Sequence, residues 1–167
     1  MPKIIENVKE QLLNEAKKQI KERGYAATTI RSVASACGVG VGTVYNYFES
    51  KEMLIATFVY DDWKTHLADM QRLPANEPHK LLKGIYDSLR AFADKNEKLF
   101  SDADAAKLVA SGSSERHRLL RGQIAKFILP ICKEGFKSEF IAESLISWST
   151  ENAEFEEVYS ILEKIIK

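Results

Sequence analysis

Apolar residues recur at intervals of three and four along most of this chain, and alternation with period two is nearly absent. Ile5, Val8, Leu12, Ala16 and Ile20 fall on one side of a helix, with Glu6, Lys9, Glu10, Lys17, Lys18 and Lys21 on the other, which predicts a first helix from about Ile4 to Arg23. Gly24 follows, able to take the left-handed conformation that closes a helix. Thr28 or Thr29 offers a side-chain oxygen to cap a second helix, whose buried side is Ile30, Val33, Ala34 and Cys37 and which ends at Gly38. Val39 and Gly40 make a tight turn into a very short third helix, about Val41 to Tyr47. Ser50 caps a long fourth helix, about Lys51 to Leu73, with Leu54 and Phe58 as early core positions and Tyr60, Trp63, Leu67 and Met70 as a second stripe.

Residues 74–78 form the clearest linker, and Pro78 suits the first turn of a fifth helix carrying Leu82, Ile85, Leu89 and Phe92. A shorter helix is predicted over 99–110. Ser114 can cap the next, with Leu120, Ile124, Phe127 and Ile131, and Pro130 should kink or end it. Ile141, Leu145 and Trp148 mark another helix, and Phe155, Val158, Leu162 and Ile165 the last. The reading is an all-α chain of eight or nine helices.

Composition narrows the class. The chain has 167 residues, 45% hydrophobic and 29% charged, too apolar for disorder and too charged for a bundle of membrane spans. No stretch approaches the roughly 18 apolar residues of a spanning helix, and no signal peptide is legible at the N-terminus, so a soluble, cytoplasmic protein is expected. Cys37 and Cys132 lie far apart and outside any metal-ligand spacing, which reads as two reduced, mostly buried thiols. The 24 basic and 24 acidic residues cancel, which argues against a uniformly basic nucleic-acid coat protein. The balance is uneven, however: residues 1–51 carry eight basic and five acidic side chains.

The informative stretch is TTIRSVASACGVGVGTVYNYFESKEML, from Thr28 to Leu54. Two short helices joined by a glycine turn form a helix-turn-helix. Ala34 is small where the second helix of the motif crosses the first, Gly38 sits where a positive φ is needed, and Val33, Cys37, Val39 and Val44 point inward. Such a motif lays its second helix in the major groove of DNA.

This stretch resembles the N-terminal module of TetR-family transcriptional regulators, whose pattern runs roughly T-T-x-x-x-[IVL]-A-x-x-A-G-V-[SG]-x-G-[TS]-[LIV]-Y-x-[YH]-F-x-[SN]-K-E-x-L. Cys37 replaces the usual small residue before the turn glycine, and Gly40 the commoner serine. The resemblance implies a DNA-binding domain over 4–66, with its motif at 29–48, and an effector-binding and dimerisation domain over 67–167. It implies phosphate contacts from Thr28, Thr29, Tyr45, Tyr47 and Lys51, and a groove or phosphate contact from Arg31. It places Val41, Gly42 and Thr43 nearest the bases, and Asn46 is the best candidate for a direct polar base contact.

Other chemistry is weakly signalled. The Gly38-x-Gly40-x-Gly42 run lacks the strand and Lys-Ser/Thr of a phosphate loop. His66, His79 and His117 are isolated, Asp61-Asp62 and Asp102-x-Asp104 lack partner groups, and no nucleophile motif is present, so neither enzyme, metal nor cofactor is expected. Tyr60, Trp63, Tyr86, Phe92 and Phe127 read either as core or as walls of an effector pocket. Trp148, Phe155, Val158, Leu162 and Ile165 read either as core or as a dimer face, which the resemblance favours. The resemblance thus implies a homodimeric regulator on a near-palindromic operator, usually a repressor, released from double-stranded DNA by a small, largely apolar effector.

Overall fold

The computed structural model describes residues 7–105, 113–151 and 153–166. All regular structure among them is helical. The helices are α1 (Val8–Ala27), α2 (Ile30–Ala36), α3 (Val41–Tyr45), α4 (Lys51–Met70), α5 (Pro78–Lys95), α6 (Glu97–Phe100), α7 (Ser113–Cys132), α8 (Gly135–Thr150) and α9 (Phe155–Ile166). Residues 103–105 are helical as well. The predicted start of the first helix at 4–6, the 106–110 part of the sixth helix and the loop at 111–112 lie outside the described residues.

Local chemistry explains most boundaries. Gly24, at φ +84°, is non-helical and ends the regular part of α1 after Arg23, with residues 25–27 forming a further turn beyond the kink. Thr29 caps α2: its hydroxyl accepts the Ser32 N–H, and the Ser32 hydroxyl accepts the Thr29 N–H, both at 3.0 Å. Gly38 takes φ +67°, as the turn requires. Ser50 opens α4 by accepting the Met53 N–H at 3.2 Å. Pro78 is the first residue of α5, where its missing N–H is harmless. Pro130 sits in the last turn of α7, which ends two residues later as Lys133 turns left-handed at φ 58°.

Two compact units are present, one within Met1–Asp62 and Asn96–Val109, the other within Trp63–Lys95 and Ala110–Lys167. The first has a core of Leu12, Ala16, Ile20, Tyr25, Ile30, Val33, Ala34, Val44, Phe48, Leu54, Ile55 and Phe58, joined by Leu99 and Ala105. The return of 96–105 to this unit has no signature in the periodicity of the sequence. It is held by polar pairing: buried Asn96 donates to buried Asp62 at 3.4 Å, Lys17 meets the same carboxylate at 3.3 Å, and Lys98 donates to the Lys21 carbonyl at 2.7 Å.

The second unit is a bundle whose core includes Trp63, Met70, Leu82, Ile85, Tyr86, Ile124, Ile128, Ile141, Leu145, Phe155, Val158 and Leu162. A Cβ on Gly84 would lie 2.8 Å from Leu73 Cδ1, so glycine lets the chain after α4 fold back onto α5. Among the described residues no helix is long and apolar enough to cross a membrane. No cluster of three or more His, Cys, Asp or Glu side chains that could hold a metal is present among them.

Candidate nucleic-acid interface

The short helices α2 and α3 are held from below. Val33 and Val44 are fully buried, Ala34 is 1% exposed, and Cys37 and Val39 pack against the same core at half-burial. Burial of the apolar side of α3 leaves its other side outward. Val41, Gly42, Tyr45, Asn46 and Tyr47 are exposed, with Tyr45 at 53% and Tyr47 at 47%, and Thr43 is half-buried. The helical part stops at Tyr45, so Asn46 and Tyr47 stand on the turn that follows, two residues earlier than the spacing predicts.

Gly40 caps α3 without a side-chain bond. A Cβ on Gly42 would meet nothing within 4 Å, so nothing in the folded chain demands glycine there. Five residues with one glycine among them and another at the N-cap make an intrinsically weak helix, stabilised by the packing of Val44 and not by propensity.

Thr29 and Arg31 are exposed at the start of α2. Thr29 accepts through its hydroxyl oxygen in the capping box and still has a proton to donate outward. Two residues of the expected contact set are placed differently. Thr28 is 1% exposed and its hydroxyl donates to the Gly24 carbonyl at 2.9 Å, where it closes the turn between α1 and α2. Lys51 is half-buried; its ammonium donates to the Tyr25 carbonyl and lies 3.6 Å from the centre of the Tyr25 ring.

A buried polar residue supports the motif from behind. Gln19 of α1 is fully buried; its amide donates to the Ser32 carbonyl at 3.2 Å and its oxygen accepts from the Ser32 hydroxyl at 2.6 Å. It thereby fixes the first turn of α2 to α1. Its position beside Ile20 on the buried stripe is the one sequence signal for it.

The other expected sites are split by the fold. Trp63 and Tyr86 are buried, and Phe92 and Phe127 are half-buried against the bundle core, with Trp63 and Phe92 in edge contact at 5.2 Å. Tyr60 is 58% exposed. It lies about 60° from Trp63 around the helix and so keeps to that stripe, but it falls between Phe58, a core residue of the first unit, and Trp63, a core residue of the second, and belongs to neither core. Polar groups missed by the sequence reading sit among these rings: Gln123 accepts the Trp63 indole N–H at 2.9 Å, and His66 pairs with Ser88 at 2.9 Å beside Phe92.

Of the five residues read as a dimer face, Phe155, Val158 and Leu162 belong to the bundle core, at 6%, 7% and 1% exposure. Ile165 is half-buried, and only Trp148 is exposed, at 50%. The apolar stripe of α9 faces its own bundle because α5 and α8 lie against it. The outward apolar residues of α8 and α9 are Phe136, Phe140, Trp148 and Ile161. An open apolar groove of about 290 Å³ runs past Phe140, Ser144, Trp148, Ala153, Glu157 and Ile161.

Comparison with known proteins bears on this motif directly. Residues 12–57 match the model of the bacterial regulatory proteins of the tetR family, a span that includes α2, α3 and the capping residues of both flanking helices. The helix-turn-helix part of the chain is a TetR-family domain. The chain is similar to the HTH-type transcriptional repressor KstR2 of Mycolicibacterium smegmatis, at 28% identity over 102 residues, 59% of this chain and 50% of that protein. It is also similar to the HTH-type transcriptional regulator YerO of Bacillus subtilis, at 40% identity over 47 residues, 28% of this chain and 16% of that protein. The chain therefore spans half or less of the length of these two curated relatives. Its fold extends the likeness: the TetR-family repressor AlkX of Dietzia sp. superposes with a TM-score of 0.63 at 16% identity, covering 94% of this chain and 98% of that one.

Proposed function

We propose that this chain is a sequence-specific DNA-binding transcriptional repressor that acts as a homodimer and leaves its operator when a small apolar effector binds. The observation that carries the DNA reading is the outward side of α2 and α3. Thr29, Arg31, Tyr45, Asn46 and Tyr47 are exposed and Thr43 is half-buried, on a motif whose Val33, Ala34 and Val44 are turned inward. A scaffold has no use for such a surface. Tyr45, Tyr47 and Thr29 hold phosphates, Val41 and Gly42 let the helix start approach the base edges, and Asn46 and Thr43 read them. Arg31 supplies the positive charge of the face.

A two-fold axis brings two copies of α3 to half-sites about 34–36 Å apart or wider on a near-palindromic operator. Phe140, Trp148 and Ile161 support the homodimer as an unpartnered apolar face on the last two helices. The effector reading is supported by the rings of Trp63, Phe92 and Phe127 with the polar groups of Gln123, His66 and Ser88 among them, since sites for small molecules are apolar with a few placed polar groups. One continuous helix, α4, contributes Leu54 and Phe58 to the first core and Trp63 and Met70 to the second, and so is the element an effector would bias.

The test is a gel-shift selection from fragmented genomic DNA, repeated across salt concentrations. Binding to one or a few fragments with affinity that falls steeply with salt is expected. Binding to no fragment, or binding indifferent to salt, refutes the DNA reading.

A further inference from the structure

Lys51 and Glu52 begin α4, directly after the motif, and Tyr25 lies in the last turn of α1, just before it. The three side chains meet. The Lys51 ammonium donates to the Tyr25 carbonyl and sits 3.6 Å over the centre of its ring, and the Tyr25 hydroxyl donates to the Glu52 carboxylate at 3.1 Å. The Tyr25 carbonyl also accepts the Thr28 N–H at 3.2 Å, within the turn that delivers Thr29 to its capping position. Tyr25 is only 7% exposed. The ends of the segment that contains α2 and α3 are thus pinned together at one buried ring.

We infer that Lys51 is a positioning residue, which with Glu52 clamps Tyr25, closes the helix-turn-helix into a loop, and affects DNA binding through that closure and not through a phosphate. Closing a loop of this length removes conformational freedom that α2 and α3, at seven and five residues, cannot suppress by their own helical stability. A cation over a desolvated aromatic face is a strong surface-to-core tie. The electrostatics agree with a closed clamp. Burial, seconded by the bond from Glu52, pushes the Tyr25 hydroxyl up to about 12, and burial lowers the Lys51 ammonium. The DNA part of this inference rests on the reading of the preceding subsection; the clamp itself does not.

The clamp is tested on the intact chain without DNA. The ε-methylene protons of Lys51 should resonate upfield of those of the other lysines, because they lie in the shielding region of the Tyr25 ring. Lys51→Met should raise the unfolding constant about tenfold. Tyr25→Leu, which also loses core packing and the Glu52 bond, should raise it more, and the double variant should raise it by about ten times less than the product of the two. Lys51→Arg, which keeps the cation over the ring, should restore most of the loss. Should Tyr25→Leu fail to fold, the Lys51 chemical shift and the Lys51→Arg rescue decide the clamp.

On DNA, Lys51→Met and Tyr25→Leu should both weaken binding while leaving the slope of log affinity against log salt unchanged. A phosphate contact would instead lose about 0.9 of that slope with Lys51→Met alone. An unshifted Lys51 signal, multiplicative effects in the cycle, or a reduced slope with Lys51→Met overturns the proposal. If the wild-type chain binds no DNA, the regulator reading fails, while the chemical shift and the cycle still decide the clamp.

Discussion

Trp148→Ala separates an interface side chain from a core one. The indole of Trp148 is 50% exposed on α8, beside the groove shared with Ile161 and Phe140. Its carbonyl accepts the Tyr86 hydroxyl at 2.9 Å, a bond that truncation of the side chain leaves in place. A tryptophan presents up to about 250 Å², so about 120 Å² of it remains for a second copy to cover. At about 25 cal/mol per Å² that is about 3 kcal/mol per subunit. A two-fold interface counts it twice, about 6 kcal/mol, or roughly 10⁴ in the dissociation constant. Sedimentation equilibrium over a concentration series should show a dimer for the wild type and a monomer for the variant at the same micromolar loading. Urea unfolding of the variant, compared with wild type diluted until it too is monomeric, should show a loss below about 1 kcal/mol, since the side chain is already half in water. Leu162→Ala is the control. At 1% exposure it should cost about 2–5 kcal/mol of stability. The reasoning fails if Trp148→Ala dissociates no more readily than wild type, or if it destabilises the fold as Leu162→Ala does.

Further outcomes are expected. Asn46→Ala should change which fragments are selected, whereas Tyr47→Ala should weaken binding to all of them by a similar factor; equal and sequence-independent losses from both would remove Asn46 from base reading. Gly84→Ala should lose about 1–2 kcal/mol in urea unfolding, because its Cβ would lie 2.8 Å and 3.2 Å from Leu73 Cδ1 and Cγ, an overlap larger than the helix-propensity gain. Combining it with Leu73→Ala should relieve that overlap, and strictly additive losses would refute the contact. Tyr25 should titrate near pH 12 by its ultraviolet absorbance, above the ordinary tyrosine value of 10.0, and Tyr25→Phe should remove that late step. Because its folded value is the raised one, its contribution to stability is complete below pH 10 and is lost as pH climbs toward 12. A titration in which all tyrosines ionise together would contradict the buried ring.

The motif was legible because every feature of it is local. Gly38 requires a positive φ, Thr29 and Ser50 cap helices that start at the next residue, and Val33, Val44 and Leu54 fall on a helical period. None of these depends on a distant partner. The same rule failed where a helix has two apolar sides or where a polar group decides. On α4, Tyr60 was grouped with Trp63 by period and does share its side of the helix, yet it falls between the two cores and is left exposed. On α9, Phe155, Val158 and Leu162 read either as core or as a dimer face, which the resemblance favoured, although a bundle uses its strongest stripe for its own core. Gln19 and Asn96 were passed over because a buried amide looks in sequence like any exposed one.

By itself, then, the sequence determined that the chain is helical, where most helices begin and end, and which short helix has the exposed side proposed to read DNA, since capping, turn stereochemistry and periodicity act within a few residues. Only the tertiary structure decided which apolar side chains of the last two helices stay exposed, that residues 96–105 return to the first unit, and that Lys51 turns inward onto Tyr25. These follow from which surfaces compete for the same burial, and that competition is settled between residues far apart in the chain.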